Sequence, residues 1–138
     1  MAEFILECEG RKPITDPTHA QLEKRLRALR TTGPSSFAIL TASGGSYLQV
    51  AGSPGGMLLE QRDSAGQHYR AFQPAPVVPF ADGTELAFSA GRIPLRANEW
   101  FKLSQIVEIL GRFLEEKPLP ASVSWRNISG LLTEGSVG

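Results

Sequence analysis

Leu103-Ser104-Gln105-Ile106-Val107-Glu108-Ile109-Leu110-Gly111-Arg112-Phe113-Leu114, followed by Lys117-Pro118-Leu119-Pro120 and Val123-Ser124-Trp125, is the stretch that decides the fold. Leu103, Ile106, Val107, Leu110, Phe113 and Leu114 recur on one side of a helical wheel, so the run Asn98 to Glu116 reads as an amphipathic helix with a sheet to cover. Asn98 is the expected N-cap, and Pro118 and Pro120 forbid continuation because proline lacks the N–H and its ring clashes with the preceding turn. Val123 and Trp125 alternate with Ser124 as in a short closing strand, and Ile93-Pro94-Leu95 ahead of the helix reads as a strand end.

Upstream of that helix the period shortens. Phe37 to Thr41, Tyr47 to Ala51, Met57 to Arg62, Gln67 to Phe72 and Glu85 to Ser89 are short apolar or alternating runs, separated by turn residues such as Ser43-Gly44-Gly45-Ser46 and Asp63-Ser64-Ala65-Gly66. Gly52-Ser53-Pro54-Gly55-Gly56 lacks the Lys-Ser/Thr and the helix that follow a phosphate-cradling loop, so it reads as a hairpin connection. Gln73 to Gly83, with Pro74, Pro76 and Pro79, is expected to be a stiff extended loop. Nearer the N-terminus, Phe4, Leu6 and Cys8 alternate with Glu3, Ile5 and Glu7 in a first strand. Asp16-Pro17 then reads as N-cap and first helical residue of a helix carrying Leu22, Leu26 and Leu29 on one face and stopped by Gly33-Pro34.

The order strand, helix, five strands, helix, strand gives a single α+β domain over residues 1–129. Its antiparallel sheet has about six to seven strands with two helices on one face, and residues 130–138 form a flexible tail. Alternation turns Leu48, Val50, Met57, Leu59, Tyr69, Leu86 and Phe88 toward the helices and leaves Tyr47, Gln49, Glu60, Arg62, His68, Arg70 and Glu85 on an open face.

A chain of 138 residues, 41% apolar and 20% charged, is long enough to bury one core. Fourteen basic and fourteen acidic side chains cancel, which removes the positive field that non-specific nucleic-acid binding needs. Cys8 is the one cysteine, so neither an intrachain disulfide nor a thiolate metal cluster is expected. Glu3, Glu7 and Glu9 leave no basic and then apolar leader, and no run approaches the ~20 apolar residues of a membrane span. The expectation is a cytoplasmic protein without membrane contact.

Catalytic chemistry needs a nucleophile, a base and a group that orients the base. His19 and His68 are the two imidazoles, the first in the opening turn of a helix and the second in a strand beside Gln67 and Tyr69, and no partner set is visible for either. No HExxH pair and no hard-cation loop is present. Trp100 and Trp125 read as core or core-edge residues, and Lys24, Arg25, Arg27 and Arg30 as a solvated helix face. No catalytic residue, metal or cofactor is expected.

Asp16-Pro17-Thr18 opening a leucine-bearing helix, Tyr47-Leu48-Gln49-Val50-Ala51-Gly52, Arg92-Ile93-Pro94-Leu95, and Phe113-Leu114-Glu115-Glu116-Lys117-Pro118-Leu119-Pro120-Ala121-Ser122-Val123-Ser124-Trp125 together resemble the type-one immunity proteins of bacterial polymorphic toxin systems. The resemblance implies a small cytoplasmic protein without enzymatic activity, encoded beside a secreted toxin, often a nucleic-acid deaminase, and acting by binding and blocking it. On the open sheet face, Tyr47, Gln49, Glu60, Arg62, His68 and Arg70 are then the expected partner-binding residues, in a monomer or weak homodimer. The alternative reading is a small-ligand-binding or regulatory dimeric module with a pocket between the sheet and the second helix.

Overall fold

In the computed structural model, which describes residues 3–130, the chain is one α+β domain. The strands are β1 (Phe4–Cys8), β2 (Ile14–Thr15), β3 (Phe37–Ala42), β4 (Tyr47–Ser53), β5 (Gly56–Arg62), β6 (His68–Phe72), β7 (Thr84–Phe88), β8 (Gly91–Leu95) and β9 (Ser124–Asn127), and the helices are α1 (His19–Arg27) and α2 (Leu103–Leu114). Seven strands form an antiparallel sheet in the order β2-β1-β3-β4-β5-β6-β9, while β7 and β8 form a separate hairpin. Of the expected tail, only Gly130 lies within the described residues.

The period-two reading holds through the middle of the sheet. Leu6, Leu40 and Leu48 are register partners, as are Cys8, Ala38, Val50 and Leu59, and all are buried against Leu22, Leu26 and Leu29 and the α2 residues Ile106, Ile109 and Leu110. Among these residues, burial in apolar surroundings pushes the Cys8 thiol pKa up, with the Arg25 guanidinium pulling the other way. Gly111 on α2 sits against the His19 ring, where an added Cβ would meet ring atoms at 3.4 Å, and His19 Nε2 lies 3.1 Å from Glu115 Oε2, joining the start of α1 to the end of α2.

Both helix starts differ from the sequence expectation. Thr18 caps α1 in place of Asp16: its hydroxyl accepts the Gln21 N–H at 3.1 Å while the Gln21 side chain accepts the Thr18 N–H at 2.9 Å. The Asp16 carboxylate is taken by the Phe4 N–H at 2.9 Å, which secures β1. At α2, residues Trp100 and Phe101 precede the helix in extended form, Phe101 exchanging two backbone hydrogen bonds with Met57 at 2.8 Å. Adjacent residues of extended chain point to opposite sides, so Phe101 enters the core under the helices and Trp100 a second cluster. Asn98, the expected cap, lies in a short 3-10 turn (Ala97–Glu99) and donates from Nδ2 to the Gln73 carbonyl at 2.9 Å.

The second sheet face is only half open, which corrects the expectation of a bare surface. Leu86 and Phe88 do not point to the helices, and Glu85 does not belong to the main sheet. The β7–β8 hairpin packs Leu86 and Leu95, with Val78 of the loop ahead of it, against Trp100, Ala51 and Leu58 in a second cluster on the far side, with Phe37, Phe88 and Ile93 at its margin. Pro94 stands opposite Glu85 in the hairpin. Two positions from the Gly91 end, Leu86 faces Ile93, so the alternation of bonded pairs puts Pro94 where no N–H is asked for.

The tip of that hairpin is tied to the main sheet through polar groups. Ser36 donates to Glu9 Oε1 from its N–H at 2.8 Å and its hydroxyl at 2.6 Å, and the Ser89 N–H donates to Ser36 Oγ at 3.1 Å. Hydrogen bonding from Ser36, then from Ser89, holds the Glu9 carboxyl below its ordinary value of 4.5. A depressed folded-state pKa adds stability above the ordinary value and withdraws it as pH falls through the folded one. The melting temperature is therefore expected to fall more steeply below pH 4.5 in the wild type than in Glu9→Gln. Parallel pH profiles of the two proteins would detach Glu9 from acid stability.

Candidate functional site

Cross-strand partners share a face, so the register of the sheet converts single residues into rows. One row runs Ile5, Thr41, Tyr47, Arg62 and His68 across β1, β3, β4, β5 and β6. The next runs Glu7, Ile39, Gln49, Glu60, Arg70 and Arg126, reaching β9. A third, Phe37, Ala51 and Leu58, lies under the β7–β8 hairpin. Burial deepens from the first row to the third, because the hairpin roofs one end of the face and leaves the other in water.

The six residues expected to bind a partner do fall on one face, in two adjacent rows. They do not share one environment. Tyr47, Arg62 and His68 occupy the uncovered row; Arg62 is exposed, Ile5 is 37% exposed although apolar, and the Tyr47 and His68 rings flank Arg62 in an edge-on arrangement with centroids 6.4 Å apart. Gln49 and Glu60 are half-buried in the second row. Arg70 is the correction: only 8% exposed, it donates from Nε to Glu60 Oε2 at 2.8 Å and is no surface contact of the kind expected.

Arg70 belongs to an ionic cluster centred on Glu99, a fully buried carboxylate supplied by the 3-10 turn ahead of α2. Glu99 Oε2 accepts from Arg126 Nε at 3.1 Å and from an Arg126 terminal amine at 2.7 Å. Glu99 Oε1 accepts the Arg96 N–H at 2.8 Å and lies 4.0 Å from an Arg70 terminal amine, beyond hydrogen-bond reach. Sequence reasoning missed both Glu99 and Arg126. Alternation had a signal for Arg126, since Trp125 turned to the helices sends its neighbour to the other face; Glu99, read as part of the helix Asn98 to Glu116 and outside its apolar stripe, had none.

Three spaces bear on binding. The gap between the sheet and α2, where the ligand reading placed its pocket, is packed; beside Gln73, Gln105 and Val123 it leaves about 90 Å³, well below the roughly 300 Å³ at which ligand sites begin. An open cleft of about 340 Å³ lies where Arg70, Arg96 and Arg126 meet β8. Another of about 530 Å³ runs between β7 and the β4–β5 turn, with Phe80 stacked edge-on against Trp100 at 4.7 Å.

For chemistry, the His68 imidazole has the Tyr47 ring as its neighbour and makes no side-chain hydrogen bond among the described residues. Cys8 is buried on the opposite face of the sheet. Among the described residues, no three His, Cys, Asp or Glu side chains gather to hold a metal ion, and no helix is long and apolar enough to cross a membrane. Compared with protein-family models, curated proteins and solved structures, the chain matches none of them.

Proposed function

We propose that this chain is an interaction protein of the immunity type, cytoplasmic and without chemistry of its own, that binds a cognate bacterial toxin domain and blocks its active site. The observation that carries this reading is the uncovered row Ile5, Thr41, Tyr47, Arg62 and His68, which neither helix nor hairpin roofs. Five strands at ~4.8 Å spacing make that row about 19 Å long, a fit to the centre of a standard interface of roughly 800 Å² per partner. It combines Tyr and Arg, the residue types that most often dominate binding energy, with one exposed isoleucine on a rigid sheet that loses little entropy on docking. The resemblance of the helix, Leu-Pro turn and Trp-bearing strand to immunity proteins supplies the kind of partner.

Titration calorimetry against the toxin domain encoded beside this chain tests the reading. Tyr47→Ala and Arg62→Ala are each expected to weaken binding by about 1–3 kcal/mol with little change in melting temperature, and Lys24→Ala on α1 to leave it unchanged. Equal affinities for all four proteins, or the largest loss from Lys24→Ala, would move the interface to the helical side.

A further inference from the structure

The cleft beside β8 has a charge imbalance that the fold does not resolve. Its polar wall is made by Arg70, Arg96 and Arg126 with Glu99, and its apolar wall by Ile93, Pro94 and Leu95. Glu60, paired with Arg70, is the other carboxylate of the cluster, so three guanidiniums meet two carboxylates. Glu99 spends one oxygen on Arg126 and the other on a backbone N–H, and Glu60 takes only the Nε of Arg70. The terminal amines of Arg70, a side chain nine-tenths buried at this cleft, therefore have no acceptor within hydrogen-bond distance among the described residues, and the Arg96 guanidinium pairs with no carboxylate. These amines open on the cleft rather than being sealed in the core, and a planar guanidinium is the side chain best shaped to take a carboxylate.

We infer that this cleft is a binding site for a carboxylate on a short aliphatic stem, which would sit on the free amines of Arg70 and Arg96 with its methylenes against Ile93 and Leu95. Charge complementarity fixes the sign of the occupant, and the volume of about 340 Å³ fits one side chain better than a nucleotide. Arg70 and Arg126 end the sheet row adjacent to the uncovered one, so we assign the occupant as an Asp or Glu side chain of the partner protein. That assignment rests on the interaction reading above; the carboxylate site itself does not.

The test uses sodium butyrate as probe on the intact chain, followed through the Nε–Hε NMR signals of Arg70 and Arg126, with butyramide and with sodium chloride at matched ionic strength as controls. A saturable millimolar shift with butyrate alone, lost in Arg96→Ala at unchanged melting temperature, is the expected result. No saturable shift, the same shift from chloride, or full retention in Arg96→Ala overturns the site. In a second arm Arg96→Ala is expected to weaken toxin-domain binding about tenfold, the scale of one charge-assisted hydrogen bond. Wild-type affinity in that variant overturns the assignment of the occupant to the partner. Butyrate uptake by a chain that binds no toxin domain upholds the site and removes the immunity reading instead.

Discussion

Leu110→Asp is expected to leave the chain unfolded at room temperature. Leu110 is fully buried where α2 meets the sheet, among Leu22, Leu48 and Ile106 and their neighbours. A carboxylate there loses its hydration among apolar neighbours, a cost of several kcal/mol against the roughly 5–15 kcal/mol that holds a domain together. Leu110→Met, which conserves volume and polarity, is expected to cost less than about 1.5 kcal/mol. Urea unfolding followed by tryptophan fluorescence compares the three proteins. A cooperative Leu110→Asp transition with a wild-type midpoint would put the wrong face of α2 on the sheet.

Glu99→Ala carries the second large effect, about 3–5 kcal/mol, because it leaves the Arg126 and Arg70 guanidiniums facing each other without the carboxylate between them. Removing Arg126 at the same time relieves part of that penalty, so the double variant Glu99→Ala/Arg126→Ala is expected to be less destabilised than the sum of the singles. Strict additivity in a double-mutant cycle would show that the two side chains do not act as a pair. Replacing a whole buried ionic cluster by apolar residues is often neutral or stabilising, so its presence is poor support for a purely stabilising role. The free donors it leaves at the cleft are the ones the proposed carboxylate site uses.

The two effects differ in how far the sequence announces them. Leu110 is legible because helical period and burial report the same thing: a stripe of apolar side chains at 3.6-residue spacing has to be covered. The same holds for Leu48, Val50 and Leu59, whose alternation survives into the register of β4 and β5. Alternation also placed Tyr47, Arg62, His68 and Arg70 on one face correctly. What it cannot carry is the identity of whatever covers that face. Glu85 to Ser89 reads as one more sheet strand, yet the strand that forms, Thr84–Phe88, pairs with Gly91–Leu95 and roofs the row of Phe37, Ala51 and Leu58, half-burying the row that holds Arg70 and leaving the row that holds Tyr47 uncovered. Long-range packing of that kind leaves no local pattern, and Glu99 falls inside the run Asn98 to Glu116 that reads as helix but outside its apolar stripe, so nothing local marks it as buried. The helix starts differ from the sequence pattern for a related reason: Asp16 and Asn98 are good caps in isolation, but Phe4 and Gln73 take up their side chains first.

Inhibition of the toxin domain by the purified chain is the most direct measurement of the proposed function. Equimolar wild-type chain is expected to abolish the toxin domain's catalytic activity, while Tyr47→Ala/Arg62→Ala, folded and melting as the wild type does, is expected to need a large molar excess for the same effect. Undiminished toxin activity at an excess of wild-type chain, or equal inhibition by the double variant, would contradict the proposal that this protein works by covering its partner with the open half of its sheet.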